Sequence, residues 1–173
     1  MKTYTEIINL VLTGLLKNNT PCADPNNELT CLYRSEDGKN GCIVGRLIED
    51  EHYVPNCEEV GISDVTAWDP NFEPMNMTAS KYLSKVMHLS GINMDDILIR
   101  RFLKNLQEFH DDKSSNHLSI IDTVSDIEWL YGECIALGGN TDFNRFHFDT
   151  LWERVTGRTM ESENSYSTRT NLV

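Results

Sequence analysis

Apolar side chains recur at α-helical spacing in four segments after residue 77, and this repeat constrains the fold more than any other feature. Residues 78–89, 95–110, 119–137 and 148–156 each carry apolar side chains three or four positions apart, so that those side chains share one helix face. A β-strand would need alternation with a period of two residues. The pattern therefore predicts helices throughout the second half of the chain and excludes an all-β fold.

The first half of the chain carries one further helix and a possible strand. Residues 4–17 show the same helical spacing, and Thr3 and Glu6 have the separation of a capping box. The apolar and aromatic bulk near residues 29–34 favours a short strand. Residues 42–48 fit a short helix, in which Gly45 would allow a neighbouring element to approach closely, or the second strand of a hairpin.

These patterns predict a mainly α (α+β) fold, a single helical domain of about five helices with a small β element near residues 29–34. A length of 173 residues suits one domain. We expect the globular domain to span residues 1–157 and residues 158–173, which are rich in Ser, Thr and Asn, to form a flexible polar tail. Residues 49–77 lack helical periodicity and contain three prolines, so they are predicted to be irregular.

The charge of the chain limits its partners. Its 27 acidic and 15 basic side chains give a net charge of −12, which disfavours direct contact with nucleic acid or with an anionic membrane surface. Residues 21–75 hold twelve of the acids and three of the bases. The densest runs are Glu49-Asp50-Glu51 and Glu58-Glu59.

These five acidic residues predict a docking patch for a protein with a basic surface. Such a partner could itself bind nucleic acid, in which case the carboxylates would occupy the place of phosphates. The alternative is a solvated face that keeps the protein soluble.

The cysteines indicate neither a disulfide framework nor a zinc site. There are five of them, an odd number, and no C-x-x-C pair occurs; they are Cys22, Cys31, Cys42, Cys57 and Cys134. The start of the chain has no secretory-signal pattern and no run of about 18 apolar residues occurs, so we expect a cytoplasmic protein with no membrane segment. In a reducing compartment the thiols are expected to be buried and reduced, and no metal or cofactor is predicted.

One set of residues could carry thiol chemistry. Cys42 follows Gly41 at the start of the predicted short helix, a position that lowers the pKa of a thiol. His110 and Asp111, at the predicted end of another helix, could serve as a base and the group that orients it. The alternative is that Cys42 packs in the core and that His110 and Asp111 merely end a helix. No nucleotide-binding glycine motif, G-x-S-x-G or H-E-x-x-H pattern is present.

A series of uncommon residues resembles a family of uncharacterised proteins of tailed bacteriophages. The resemblance rests on C-L-Y-R at residues 31–34, D-G at 37–38, C-I-V-G-R-L-I at 42–48, D-E-H-Y at 50–53 and L-Q-E-F-H-D at 106–111. It covers about residues 3–112, and the chain departs from the family pattern after residue 113 with a longer helical extension. The resemblance implies a phage protein but no particular activity.

The expected function combines that resemblance with the acidic patch and the lack of a strong catalytic motif. We expect a non-enzymatic phage accessory protein that binds and modulates a host protein in the host cytoplasm, as an anti-defence or host-takeover inhibitor. Two alternatives remain at this point. One is a thiol-dependent enzyme that uses Cys42 with His110 and Asp111, and the other is a minor component of the virion.

Overall fold

Five α-helices make up most of the described part of the chain, which forms a single mainly helical domain. They are α1 (Tyr4–Lys17), α2 (Ala79–Leu89), α3 (Ile97–Ser115), α4 (Val124–Ala136) and α5 (Thr141–Thr156). The computed structural model describes residues 1–24, 27–38, 40–58, 60–65, 78–115, 119–139 and 141–157. The tail predicted over residues 158–173 lies outside these ranges.

The first helix, α1, has the predicted bounds and packs one face into the core. The predicted capping box is confirmed, because the Glu6 amide donates to the Thr3 hydroxyl at 3.3 Å and the Thr3 amide donates to the Glu6 carboxylate at 2.7 Å. Five apolar side chains of α1 are fully buried, namely Ile7, Ile8, Val11, Leu12 and Leu15. They place α1 against α5 and against the segment that follows residue 41.

The bounds of the other helices differ from the predicted ones where tertiary contacts intervene. The prediction for α2 is confirmed except that Thr78 precedes the helix, and Gly91 after it takes a left-handed φ of +80°. The predicted end of α3 near His110 is wrong, because α3 continues to Ser115. In its last turn the Lys113 ammonium donates to Asp126 at 2.9 Å, which ties that turn to the start of α4.

The last two helices also begin at residues other than the predicted ones. The capping box of Thr123 and Asp126 starts α4 at Val124, so the predicted start at Ser119 is five residues early. The predicted helix over 148–156 begins earlier, at Thr141. Its added turns lie along α1, where His147 Nε2 is 3.3 Å from the Thr13 hydroxyl. None of the helices in the described ranges is long and apolar enough to cross a bilayer.

The predicted β element near residues 29–34 is present only as far as Cys31, because β2 (Asn27–Cys31) covers residues 29–31 and residues 32–34 are not in a strand. This strand pairs with β1 (Ala23–Asp24) in a small antiparallel hairpin. The chain leaves the strand conformation after Cys31, because the backbone amides of Tyr33 and Arg34 donate to the carboxylate of Glu58 rather than to a neighbouring strand.

Residues 42–48 form neither the predicted α-helix nor the alternative strand. They contain a single 3₁₀ turn, Gly45–Leu47. The close approach predicted at Gly45 is confirmed, since a Cβ there would lie 2.6 Å from the carbonyl carbon of Tyr33 and 2.7 Å from its Cα. The predicted irregular stretch continues as turns and two more 3₁₀ turns, Pro55–Cys57 and Ile62–Asp64, and residues 66–77 lie outside the described ranges.

Candidate functional site

Three consecutive carboxylates project from a turn that the fold holds in place, and we call residues 49–51 the acidic turn. The Asp50 side chain is 95% exposed and the Glu51 side chain 76% exposed. The backbone of the turn is closed by the Glu49 carbonyl, which accepts from the amides of His52 at 2.9 Å and Tyr53 at 3.2 Å. The acidic turn therefore presents charge from a defined backbone.

Residues far along the chain anchor the acidic turn, and sequence reasoning missed them. The amide of Glu49 donates to the buried hydroxyl of Ser90 at 3.0 Å. The Lys2 ammonium donates to the Glu49 carboxylate at 2.7 Å and also to the Ser90 carbonyl. The hydrogen bond and charge of Lys2 hold the pKa of Glu49 below its usual range. These residues are too far apart in sequence for any local pattern to have paired them.

Asp50 forms the second ion pair of the acidic turn. Its carboxylate lies 2.8 Å from a guanidinium nitrogen of Arg34. Arg34 in turn donates to the Ile48 carbonyl at 2.9 Å and lies over the Tyr53 ring at 4.7 Å. Because Asp50 is almost wholly exposed, this pair contributes about 0–1 kcal/mol and leaves the carboxylate accessible to another cation.

Glu58, the fourth predicted docking residue, has a structural role. Its carboxylate accepts from the amides of Tyr33 at 2.7 Å and Arg34 at 3.0 Å and from the hydroxyl of Tyr53 at 2.7 Å. Burial together with this last bond raises the pKa of Tyr53. Glu58 is therefore engaged within the chain and is separate from the acidic turn in function. Glu59, the fifth predicted residue, lies outside the described ranges.

The predicted thiol site is buried. Cys42 is 1% exposed and His110 is fully buried. The Cys42 sulfur accepts from the Gly45 amide at 3.1 Å, so it caps the 3₁₀ turn from within. His110 contacts Cys22, whose backbone amide donates to the ring. The Cys42 amide donates to the Leu32 carbonyl, and the Leu32 amide donates to the Cys22 carbonyl.

His110 is not arranged as a base for Cys42. Its Nε2 accepts from the backbone amide of Cys22 at 3.4 Å, which occupies the nitrogen that would take a proton. Its Nδ1 is 3.4 Å from the Asp111 carboxylate, well beyond the usual length of about 2.9 Å. Since α3 continues past both residues, the Asp111 carboxylate meets the ring only at this long distance.

The remaining described thiols are inert for the same reason. Cys22, Cys57 and Cys134 are free and buried, which raises the pKa to about 11 for the first two and to about 12 for Cys134. The side chain of Cys31 is outside the described part of the structure. Buried protonated thiols behave as small apolar side chains and not as nucleophiles.

One group of side chains among the described residues has the proximity of metal ligands. The ligand atoms of Glu49, Glu51 and His52 lie within 4.8 Å of one another. They are solvent-exposed or partly so, and Glu49 already binds Lys2. Exposed carboxylates commonly cluster without a metal, so this proximity does not by itself indicate an ion.

Comparisons with protein-family models, with curated proteins and with solved structures find no match for this chain.

Proposed function

We propose that the protein is a non-enzymatic accessory protein of a tailed bacteriophage that binds a host protein with a basic surface. The observation that carries the proposal is the acidic turn. Its two most exposed carboxylates, Asp50 and Glu51, stand on a backbone fixed by Ser90 and Lys2. Because the turn is already ordered, binding would cost less conformational entropy than ordering a flexible acidic segment.

The charge distribution supports a basic partner. A chain with a net charge of −12 attracts a cationic surface at long range, and the exposed carboxylates would form its closest contacts. A host protein that normally binds nucleic acid has such a surface, and occupation of that surface would inhibit it. The proposed site of action is therefore the interior of the infected cell.

The burial of Cys42 and the occupied Nε2 of His110 favour this binding role over the thiol-dependent enzyme. A nucleophile must reach its substrate, and a general base must be able to take a proton.

Affinity capture from lysate of a bacterium that the phage infects tests the proposal. The bait is the full chain, compared with the double variant Asp50→Lys, Glu51→Lys. The matched control is Glu108→Lys, Glu153→Lys, which makes the same change in total charge at exposed helical positions. We expect the chain to enrich a basic host protein, the acidic-turn variant to lose that enrichment at least about tenfold, and the control to retain it.

Two results would contradict the proposal. One is the absence of any enriched host protein, or equal enrichment by both variants. The other is the presence of the protein in purified phage particles by mass spectrometry, which would instead support a minor virion component.

A further inference from the structure

Three helix ends meet at a corner of the fold beside the acidic turn. The Lys2 amide donates to the Gly91 carbonyl at 2.7 Å, which joins the start of α1 to the end of α2. The Tyr4 hydroxyl donates to the Asp96 carboxylate at 2.6 Å, which joins the start of α1 to the start of α3. Each of these helix ends carries one exposed apolar residue, and we call the three together the apolar corner: Met1, Leu89 and Ile97.

The apolar corner holds a large share of the apolar side chains that face solvent. Six large apolar side chains are exposed in the described part of the chain, and three of them lie at this corner. Met1 and Ile97 are each 67% exposed, and Leu89 is 46% exposed. Exposed apolar side chains that are gathered in one region and bordered by polar residues are typical of a contact surface for another protein.

The apolar corner borders the acidic turn. The hydroxyl of Ser90, the residue after Leu89, accepts from the Glu49 amide at 3.0 Å. Consecutive Cα atoms are about 3.8 Å apart, so the Leu89 Cα lies within roughly 10 Å of that amide. The Lys2 side chain crosses the same boundary, because a Cβ on Gly91 would lie 3.3 Å from its Cγ while its ammonium binds the Glu49 carboxylate at 2.7 Å.

Exposed carboxylates accompany the apolar side chains at both ends of this surface. Asp50 and Glu51 follow the anchored residue Glu49 at the end near Leu89. At the other end the exposed Asp95 lies two residues before Ile97. A partner that covers this surface must therefore supply apolar and cationic groups side by side.

We propose that the apolar corner and the acidic turn form one binding surface for a cationic amphipathic helix of the partner protein. This inference rests on the proposed function and adds the chemistry of the segment that makes contact. A helix places residues three or four positions apart on one face, so its apolar side chains can meet the corner while Lys or Arg beside them meets the carboxylates. A strand turns successive side chains to opposite faces, which would direct one of the two sets away.

Fluorescence anisotropy of a labelled model peptide tests the inference. The probe is a peptide of about 15 residues made of Leu and Lys with its leucines at helical spacing, and the comparison peptide has the same composition in an order without that spacing. Because both peptides carry the same charge, a preference for the first reports the apolar contact. We expect the full chain to bind the amphipathic peptide at least about tenfold more tightly, a factor that burial of one leucine side chain can supply.

Substitutions separate the two parts of the surface. Leu89→Gln and Ile97→Gln should each weaken binding of the amphipathic peptide by about threefold to tenfold and leave binding of the reordered peptide unchanged. Both positions are exposed on helices, so neither substitution should disturb folding. The double variant Asp50→Lys, Glu51→Lys should weaken binding of both peptides, because it reverses charges that both of them meet.

Phe146→Gln is the control for the apolar substitutions. Phe146 is 73% exposed on α5, so this change removes at least as much exposed apolar surface. It lies away from the corner, because the next residue, His147, contacts Thr13, which is nine residues and about 13 Å along α1 from Tyr4. Binding of both peptides should be unchanged.

The outcomes distinguish this inference from the proposed function on which it rests. Equal affinity for the two peptides, or effects of Leu89→Gln and Ile97→Gln no larger than that of Phe146→Gln, would overturn the inference and leave the proposed function standing. If the acidic-turn variant binds both peptides as tightly as the wild type, or if neither peptide binds the wild type at about 1 mM, the acidic turn does not attract a cationic segment and both fail.

Discussion

The contact between Gly45 and Tyr33 yields the sharpest prediction about stability. Replacement of Gly45 by Ala would place a Cβ 2.6 Å from the carbonyl carbon of Tyr33 and 2.7 Å from its Cα, and closer still to the carbonyl oxygen. The preferred separation of two carbon atoms is about 3.5–4.0 Å, so one backbone segment must move by roughly 1 Å. Backbone cannot change rotamer to relieve the contact.

The segment that must move is held from both sides, which sets the magnitude. Glu58 binds the amides of Tyr33 and Arg34, and the Cys42 amide donates to the Leu32 carbonyl at 3.2 Å. Overpacking in a core costs about 1–3 kcal/mol, and a shift that also weakens these hydrogen bonds places Gly45→Ala at the top of that range, about 3 kcal/mol. For a chain of this length that corresponds to a decrease in Tm of about 6–12 °C.

Gly132→Ala is the matched control for this substitution. Gly132 is exposed within α4, and a Cβ there would meet nothing within 4 Å. The same chemical change is therefore expected to stabilise the protein by about 0.5–1 kcal/mol, because alanine loses less backbone entropy in a helix.

Urea denaturation monitored by circular dichroism measures both free energies of unfolding. Alkylation of Cys42 gives a second readout, since movement of the Tyr33 segment should expose this thiol and speed its reaction. Ordinary surface substitutions change the free energy of unfolding by less than about 0.5 kcal/mol. If the free energy of unfolding of Gly45→Ala lies within that distance of the wild-type value, the steric reasoning is refuted.

Three other predictions follow from the described contacts. Glu58→Ala should lower the free energy of unfolding by about 3 kcal/mol, because three donors lose a charged acceptor. The control Glu51→Ala, at an exposed position, should change it by less than about 0.5 kcal/mol in urea denaturation. Equal effects of the two substitutions would contradict the structural role of Glu58. Burial lowers the pKa of His147, so its contribution to stability is complete above the unfolded pKa of about 6.5 and is lost as the pH falls through the lower folded value. As the pH falls from about 7.5 to 5, the free energy of unfolding of the wild-type protein should therefore decrease relative to that of His147→Gln. A difference between the two proteins that does not change with pH would disprove this linkage. In the folded protein at about pH 6.5, Cys42 should react with iodoacetamide no faster than Cys134, as measured by peptide mass spectrometry; selective modification of Cys42 would revive the thiol-enzyme hypothesis.

Local signals in the sequence were sufficient for most of the helices. The capping box at Thr3 and the apolar repeat of residues 4–17 define α1, because both signals act over a single helical turn. The acidic run at residues 49–51 was equally visible, since solvent exposure of consecutive carboxylates follows from their hydration. The close approach at Gly45 could also be anticipated, although its partner Tyr33 could not.

Tertiary structure decided the roles of individual residues within those patterns. Glu58 belongs to the same acidic region of the sequence as Glu51, yet one binds backbone amides inside the chain and the other faces solvent. Likewise, Glu49 meets Lys2 and Ser90 although they lie 47 and 41 residues away in the sequence. Capping and periodicity operate over a few residues, whereas these pairings depend on how the buried faces of distant segments pack together, and that arrangement exists only once the whole core has formed.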